Sequence, residues 1–143
     1  MDSPRPDRIF RALSDPVRLR IVRVLLDGEM CVGDIVTILR VPQPTASRHL
    51  AYLRRVGLIT ARKNSYWSFY ALAPARSPFG RALLECVTAG SADAPGVKQD
   101  AARATKLREH GGCCPPHLVE SCRQPVAQPV PLRRRESSRR VSG

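Results

Sequence analysis

Acidic residues are scarce in this chain: its 143 residues carry 12 Asp and Glu against 24 Lys and Arg, a formal net charge of +12. Such a balance favours a polyanionic partner, either nucleic acid or the acidic face of a membrane. Long apolar runs are missing too. No stretch reaches 18 apolar residues, so no segment is expected to span a bilayer. Met1-Asp2-Ser3-Pro4 is acidic and broken by proline, unlike a signal peptide, and the expected location is cytoplasmic. There the five cysteines stay reduced, so clustered ones read as metal ligands or redox thiols rather than disulfides. Signatures of catalysis are also missing. A phosphatase-like loop needs Arg six residues after Cys, but Cys31, Cys86, Cys113, Cys114 and Cys122 are followed at that spacing by Thr37, Ala92, Val119, Glu120 and Gln128. There is no Gly-rich phosphate loop, no Ser/His/Asp set and no internal repeat, so an enzyme is not expected.

The length suits one small domain plus tails, with apolar residues concentrated between about 9 and 90. The charge is uneven. Residues 8–72 hold eleven Arg/Lys and four Asp/Glu, and residues 124–143 hold five Arg and one Glu. Ile9, Phe10 and Leu13 share one face of a short helix over 5–13. Ser14-Asp15-Pro16 marks a fresh start, with either polar residue able to cap, and Val17, Ile21, Val24 and Leu25 facing inward until Asp27-Gly28. Val32, Ile35, Val36 and Leu39 repeat at helical spacing, and Val41-Pro42-Gln43-Pro44 is a turn. A fourth helix over 44–56 is anchored by Ala46, Leu50 and Leu53 and ends at Gly57. Residues 58–63 and 66–72 are β-rich runs around Asn64-Ser65, the pattern of a hairpin. Phe79, Leu83, Leu84 and Val87 mark a fifth helix, and Ala101, Ala104 and Leu107 give a thin stripe to a sixth over 97–110, closed by Gly111-Gly112. From Gln124 onward Pro, Arg and Ser dominate, and disorder is expected. The expected division is 1–90, a DNA-binding and dimerisation domain; 91–123, a helix and loop with cysteines; and 124–143, a tail.

Short helix, turn, second helix and basic hairpin, in that order, predict a mostly α winged helix-turn-helix with a β-hairpin wing. On the fourth helix, the face away from Ala46, Leu50 and Leu53 carries Pro44, Thr45, Arg48 and Arg55, with Gln43, Ser47 and Arg54 on its flanks. Gln and Arg can hydrogen-bond purine edges, while Ser, Thr and Arg also bind phosphate. Gln43, Thr45, Ser47 and Arg48 are therefore the candidate readers of double-stranded DNA, with Arg62 and Lys63 expected at the hairpin tip, where a wing meets backbone or minor groove. The bland alternative is a solvated basic face. His49 falls nearer the buried stripe, where a structural role is expected. Cys31 and Cys86 are expected to be small structural side chains of the helices that carry them.

Leu13-Ser-Asp-Pro-Val-Arg-Leu-Arg-Ile-Val-Arg-Val-Leu, Gly28-Glu-Met-Cys-Val-Gly-Asp-Ile and Gln43-Pro-Thr-Ala-Ser-Arg-His-Leu-Ala-Tyr-Leu-Arg-Arg-Val-Gly-Leu-Ile resemble the ArsR/SmtB family of winged-helix repressors. The resemblance covers roughly residues 8–90. It implies a homodimer built by the first and fifth helices, operator binding without metal, and release when an inducer binds. Two departures stand out. Family arsenic sensors often carry Cys-x-Cys at the start of the third helix, where this chain has Cys31-Val32-Gly33. The serine that often precedes the recognition helix is replaced by Pro42.

Cys113, Cys114 and Cys122 fall within ten residues. Soft thiolates select soft ions, and trivalent arsenic or antimony takes three sulfurs in a pyramid. The adjacent pair plus one resembles the cysteine site that some arsenic repressors carry near their C-terminal dimer helices. This resemblance implies As(III) or Sb(III) as inducer, with no organic cofactor. His110 and His117 flank the pair, so a zinc, cadmium or lead site is an alternative, although the Cys-x₂-Cys spacing of structural zinc is absent. A methylated arsenical, thiol oxidation and a constitutive DNA-binding protein without inducer are the other readings.

Overall fold

The computed structural model describes residues 5–64 and 67–112. Within them the order is α1 (Pro6–Leu13), α2 (Pro16–Leu25), β1 (Met30–Cys31), α3 (Val32–Leu39), α4 (Gln43–Arg55), β2 (Ile59–Asn64), β3 (Trp67–Leu72), α5 (Pro78–Gly90) and α6 (Val97–Glu109). The winged helix-turn-helix is present: α3 and α4 are joined by a short turn, and β2 and β3 form the wing. No described helix is long and apolar enough to cross a membrane.

Capping decides the first boundary. Asp15, not Ser14, opens α2, its Oδ1 accepting from the Val17 and Arg18 amides at 2.9 and 3.0 Å. Ser14 instead closes α1 by donating its hydroxyl to Arg11 O. In α1 the buried residues are Ile9 and Ala12. Phe10, expected in that stripe, is 57% exposed, because adjacent helical residues point about 100° apart. Its ring meets Phe79 of α5 edge-on at 5.8 Å. In α3, Ile35, Ile38 and Leu39 are buried, while Val32 and Val36 are only half-buried. The buried face is centred on Ile35, Ile38 and Leu39, three and four apart, so Ile38 takes the inward place expected of Val32 and Val36.

The sheet has a member the sequence did not announce. Two-residue β1 pairs antiparallel with β3, Met30 opposite Tyr70 and Cys31 opposite Phe69, giving the order β1-β3-β2. Two residues are too few to show an alternation. The β2–β3 ladder runs from Ile59↔Leu72 to Asn64↔Trp67, so Asn64 belongs to a strand and not to the expected Asn64-Ser65 loop.

The main core joins Ala12, Ile21, Val22, Leu25, Ile35, Ile38, Leu50, Leu53, Ile59 and Ala104 among others. Ala104 brings α6 into the same cluster as the helix-turn-helix. Val97, Asp100 and Ala104 are the buried residues of α6. Ala101, expected inward, is exposed; a charged Asp100 takes a buried place that an apolar pattern search would never assign. Arg103 of α6 donates to Ile38 O near the end of α3. At the other end, a Cβ on Gly112 would fall 2.8 Å from Asp34 Oδ2 in the first turn of α3. Thus α6 runs antiparallel along α3.

Candidate nucleic-acid interface

The recognition helix α4 is anchored by Ala46, Leu50 and Leu53, each fully buried. Its entry is fixed by Pro42 at the N-cap with no side-chain cap, and by Pro44 in the first turn. That pre-sets φ and leaves the first amides of α4 without a capping side chain, and such amides suit an anion. Gln43, Ser47 and Arg48 are exposed, and Thr45 is half-buried. They share the solvent side of α4 with Arg54 and Arg55.

Two guanidiniums lie over the Tyr52 ring, Arg18 at 4.2 Å and Arg55 at 5.1 Å from its centroid. Arg18 also donates from Nε to Ala12 O at 2.6 Å, tying the end of α1 to α2 and α4. His49 is half-buried, its Nδ1 3.9 Å from Asp15 Oδ1. Burial by itself would raise the Asp15 carboxyl. The Arg18 amide, the charges of His49 and Arg18 and the Val17 amide outweigh it, so the group lies below its ordinary value.

At the wing, Arg62 and Lys63 are both exposed. Arg62 is not at the hairpin end but opposite Phe69, two pairs inside the ladder. Its guanidinium lies 4.6 Å from the Phe69 ring centroid and is bound by Glu29, Nε donating to both carboxylate oxygens at 3.0 and 2.9 Å and Nη2 to Oε1. Sequence reasoning missed this clamp, since Glu29 is 33 residues away. Lys63 has no carboxylate within 4.0 Å among the described residues.

Of the thiols, Cys31 is fully buried at the N-cap of α3, its sulfur accepting from the Asp34 amide at 3.4 Å. Cys86 is exposed on α5, so it is not the core side chain expected. Its position falls between the buried residues Leu83 and Val87 and turns outward. His110 ends α6 with Nδ1 2.7 Å from Lys106 O. Cys113, Cys114, His117 and Cys122 lie outside the described residues. Among the described residues no group of three His, Cys, Asp or Glu is placed to hold a metal.

Residues 15–61 match the family described as "Bacterial regulatory protein, arsR family". An arsenic resistance transcriptional regulator of Pseudomonas putida is 32% identical over 105 residues, 73% of this chain and 80% of that protein. The chain belongs to the arsR family. An uncharacterized HTH-type transcriptional regulator of Methanocaldococcus jannaschii is 45% identical to this arsR-family chain over 69 residues, 48% of this chain and 78% of that one. A cadmium resistance regulatory protein homolog of Staphylococcus aureus is 41% identical over 66 residues, 46% and 54% of the two chains. Among solved structures, reduced HlyU of Vibrio cholerae superposes with a TM-score of 0.54 at 33% identity, covering 61% of this chain and 88% of that one. The arsR-family chain is a DNA-binding transcriptional repressor and not an enzyme.

Proposed function

We propose that this repressor leaves its operator when As(III) or Sb(III) is bound by Cys113, Cys114 and Cys122. The observation that carries the reading is the exit of α6. Gly112 lies against Asp34 at the start of α3, and its next peptide bond leads into Cys113-Cys114. Ligand chemistry at that point acts directly on the helix that supports α4. The relative from Pseudomonas putida, named for arsenic resistance, supports the same inducer class. Gln43, Thr45, Ser47 and Arg48 read the major groove, while Lys63 and, on exchanging Glu29 for phosphate, Arg62 meet the backbone beside it. Residues 91–123 form the sensing segment and residues 124–143 a tail. The protein works in the cytoplasm as a homodimer through α1 and α5. The half-exposed Phe10, seated on Phe79 where those helices meet, supports this interface. Thiolates lose protons on ligation, so inducer affinity falls at low pH.

A second reading follows from the same corner. Cys31 caps the same turn of α3 that Gly112 approaches, its sulfur accepting from the Asp34 amide, and in this reading it supplies the third sulfur in place of Cys122. Its full burial weighs against this, since α3 must open to expose it. The test is release from fluorescent operator DNA titrated with arsenite, antimonite, cadmium, lead and zinc. Release by the trivalent ions alone supports the proposal. Release by the divalent ions alone makes this a divalent-metal sensor, and no release makes it constitutive.

A further inference from the structure

The last carbonyls of a helix have no partner within it and carry the negative end of its dipole. In α3 two of them are met by arginines from other helices. Leu39 O accepts from Arg20 Nη2 of α2 at 2.9 Å, and Ile38 O accepts from Arg103 Nη1 of α6 at 2.8 Å. Between the two guanidiniums lies Asp100, 2% exposed. Its carboxylate accepts from Arg20 Nε and Nη2, both at 2.7 Å, and from Arg103 Nη1 at 3.3 Å. Arg20, Asp100 and Arg103 thus close the end of α3 from outside. Arg40 follows in a left-handed conformation with φ 54, unusual for a residue with a side chain. Only Arg40, Val41 and Pro42 separate Leu39 from Gln43, the first residue of the recognition helix.

We propose that Arg20, Asp100 and Arg103 are positioning residues that hold the helix-turn-helix turn to α6, so that α6 sets the aim of α4. A movement of α6 is passed through the carbonyls of Ile38 and Leu39 to a turn three residues long. At its far end the same helix reaches Asp34 through Gly112 and leads into the cysteine pair. The regulatory half of this inference rests on the thiol reading above; the positioning half does not.

The test uses the full chain with Arg103→Gln, which removes the charge that holds Ile38 O, and Arg103→Lys, which keeps a cation able to reach it. A merely structural residue would lower the melting temperature and leave the folded protein's operator affinity intact. The expected result is that Arg103→Gln, measured where it is fully folded, binds inducer-free operator about 5- to 50-fold more weakly, within the span of typical coupling between sites. Amide exchange at Arg40 and Val41 rises while that of Ile21 to Leu25 does not, and Arg103→Lys restores both. Wild-type affinity with wild-type exchange in Arg103→Gln overturns the positioning role. For the regulatory half, the ratio of operator affinities without and with saturating arsenite falls toward one in Arg103→Gln, while thiol titration shows arsenite still bound. An unchanged ratio overturns that half. Arsenite that protects no thiol in the wild type overturns it too, together with the thiol reading, and leaves the positioning result standing on the inducer-free data.

Discussion

Arg20 of α2 and Asp100 of α6 meet at two points, Nε to Oδ2 and Nη2 to Oδ1, each 2.7 Å long and joining residues eighty apart in sequence. The carboxylate bond raises the Arg20 pKa above its ordinary value, against the opposing effect of burial. Removing one partner of such a pair leaves the other charge in a poor solvent. Asp100→Ala is expected to destabilise the fold toward the lower end of roughly 3–5 kcal/mol, since the Arg20 side chain keeps 20% exposure. Urea unfolding measures it, and a loss under about 1 kcal/mol would show that water already compensates Arg20.

Arg48→Ala should weaken operator binding by about 1–3 kcal/mol, the usual value of one base or phosphate contact, with the fold unchanged. Arg48 is exposed on α4 opposite the buried stripe, so no packing is lost. Unaltered affinity in anisotropy titrations would remove Arg48 from the interface.

Asp15→Ala removes the acceptor for two amides at the start of α2 and should cost about 0.5–2 kcal/mol at neutral pH. The sign with pH follows from the lowered carboxyl. Its contribution is present above the unfolded carboxylate value and disappears as pH falls through the folded one. The stabilities of wild type and variant should therefore converge in acid. A gap that stays constant from neutral pH to acid would show that the carboxylate charge is not what matters.

Cys113→Ser, Cys114→Ser and Cys122→Ser should each keep operator binding and lose release by arsenite, because a hydroxyl is not a soft ligand. Cys86→Ser should respond normally, being exposed on α5 with no ligand cluster among the described residues. Cys31→Ser decides between the two thiol readings. If it abolishes release and Cys122→Ser does not, the third sulfur belongs to α3.

Deleting residues 124–143 should leave folding and inducer response intact. Five Arg leave with one Glu, so the salt dependence of DNA binding should flatten. Each phosphate no longer neutralised lowers the slope of log K against log salt by about 0.9. Loss of arsenite response on deletion would make the tail part of the switch.

The helices of the winged unit were legible because each has a strong periodic anchor and a chemical stop. Ala46, Leu50 and Leu53 give α4, and Gly57 at φ 84 ends it. What escaped was set by partners distant in sequence. Asp100 is buried because Arg20 is there, Arg62 is clamped because Glu29 is there, and β1 exists only because β3 offers an edge. No local pattern encodes any of these. Within the interface, the exposure of Gln43, Ser47 and Arg48 followed from the buried stripe of α4, whereas the engagement of Arg62 did not. Phe10 was grouped with Ile9 and Leu13 on one apolar face of α1, but only Ile9 of these is fully buried, and the Phe10 ring lies on Phe79 at the surface instead.

The pairing of Met30 and Cys31 with Tyr70 and Phe69 has a mechanical consequence. It ties the wing to the residues from which α3 starts, so on the proposed reading the hairpin and α4 approach the duplex together as one caliper. A caliper cannot follow variations in groove width, and the duplex must do the adjusting. Base pairs lying between the jaws, touched by neither, will then influence affinity through how easily they bend or narrow.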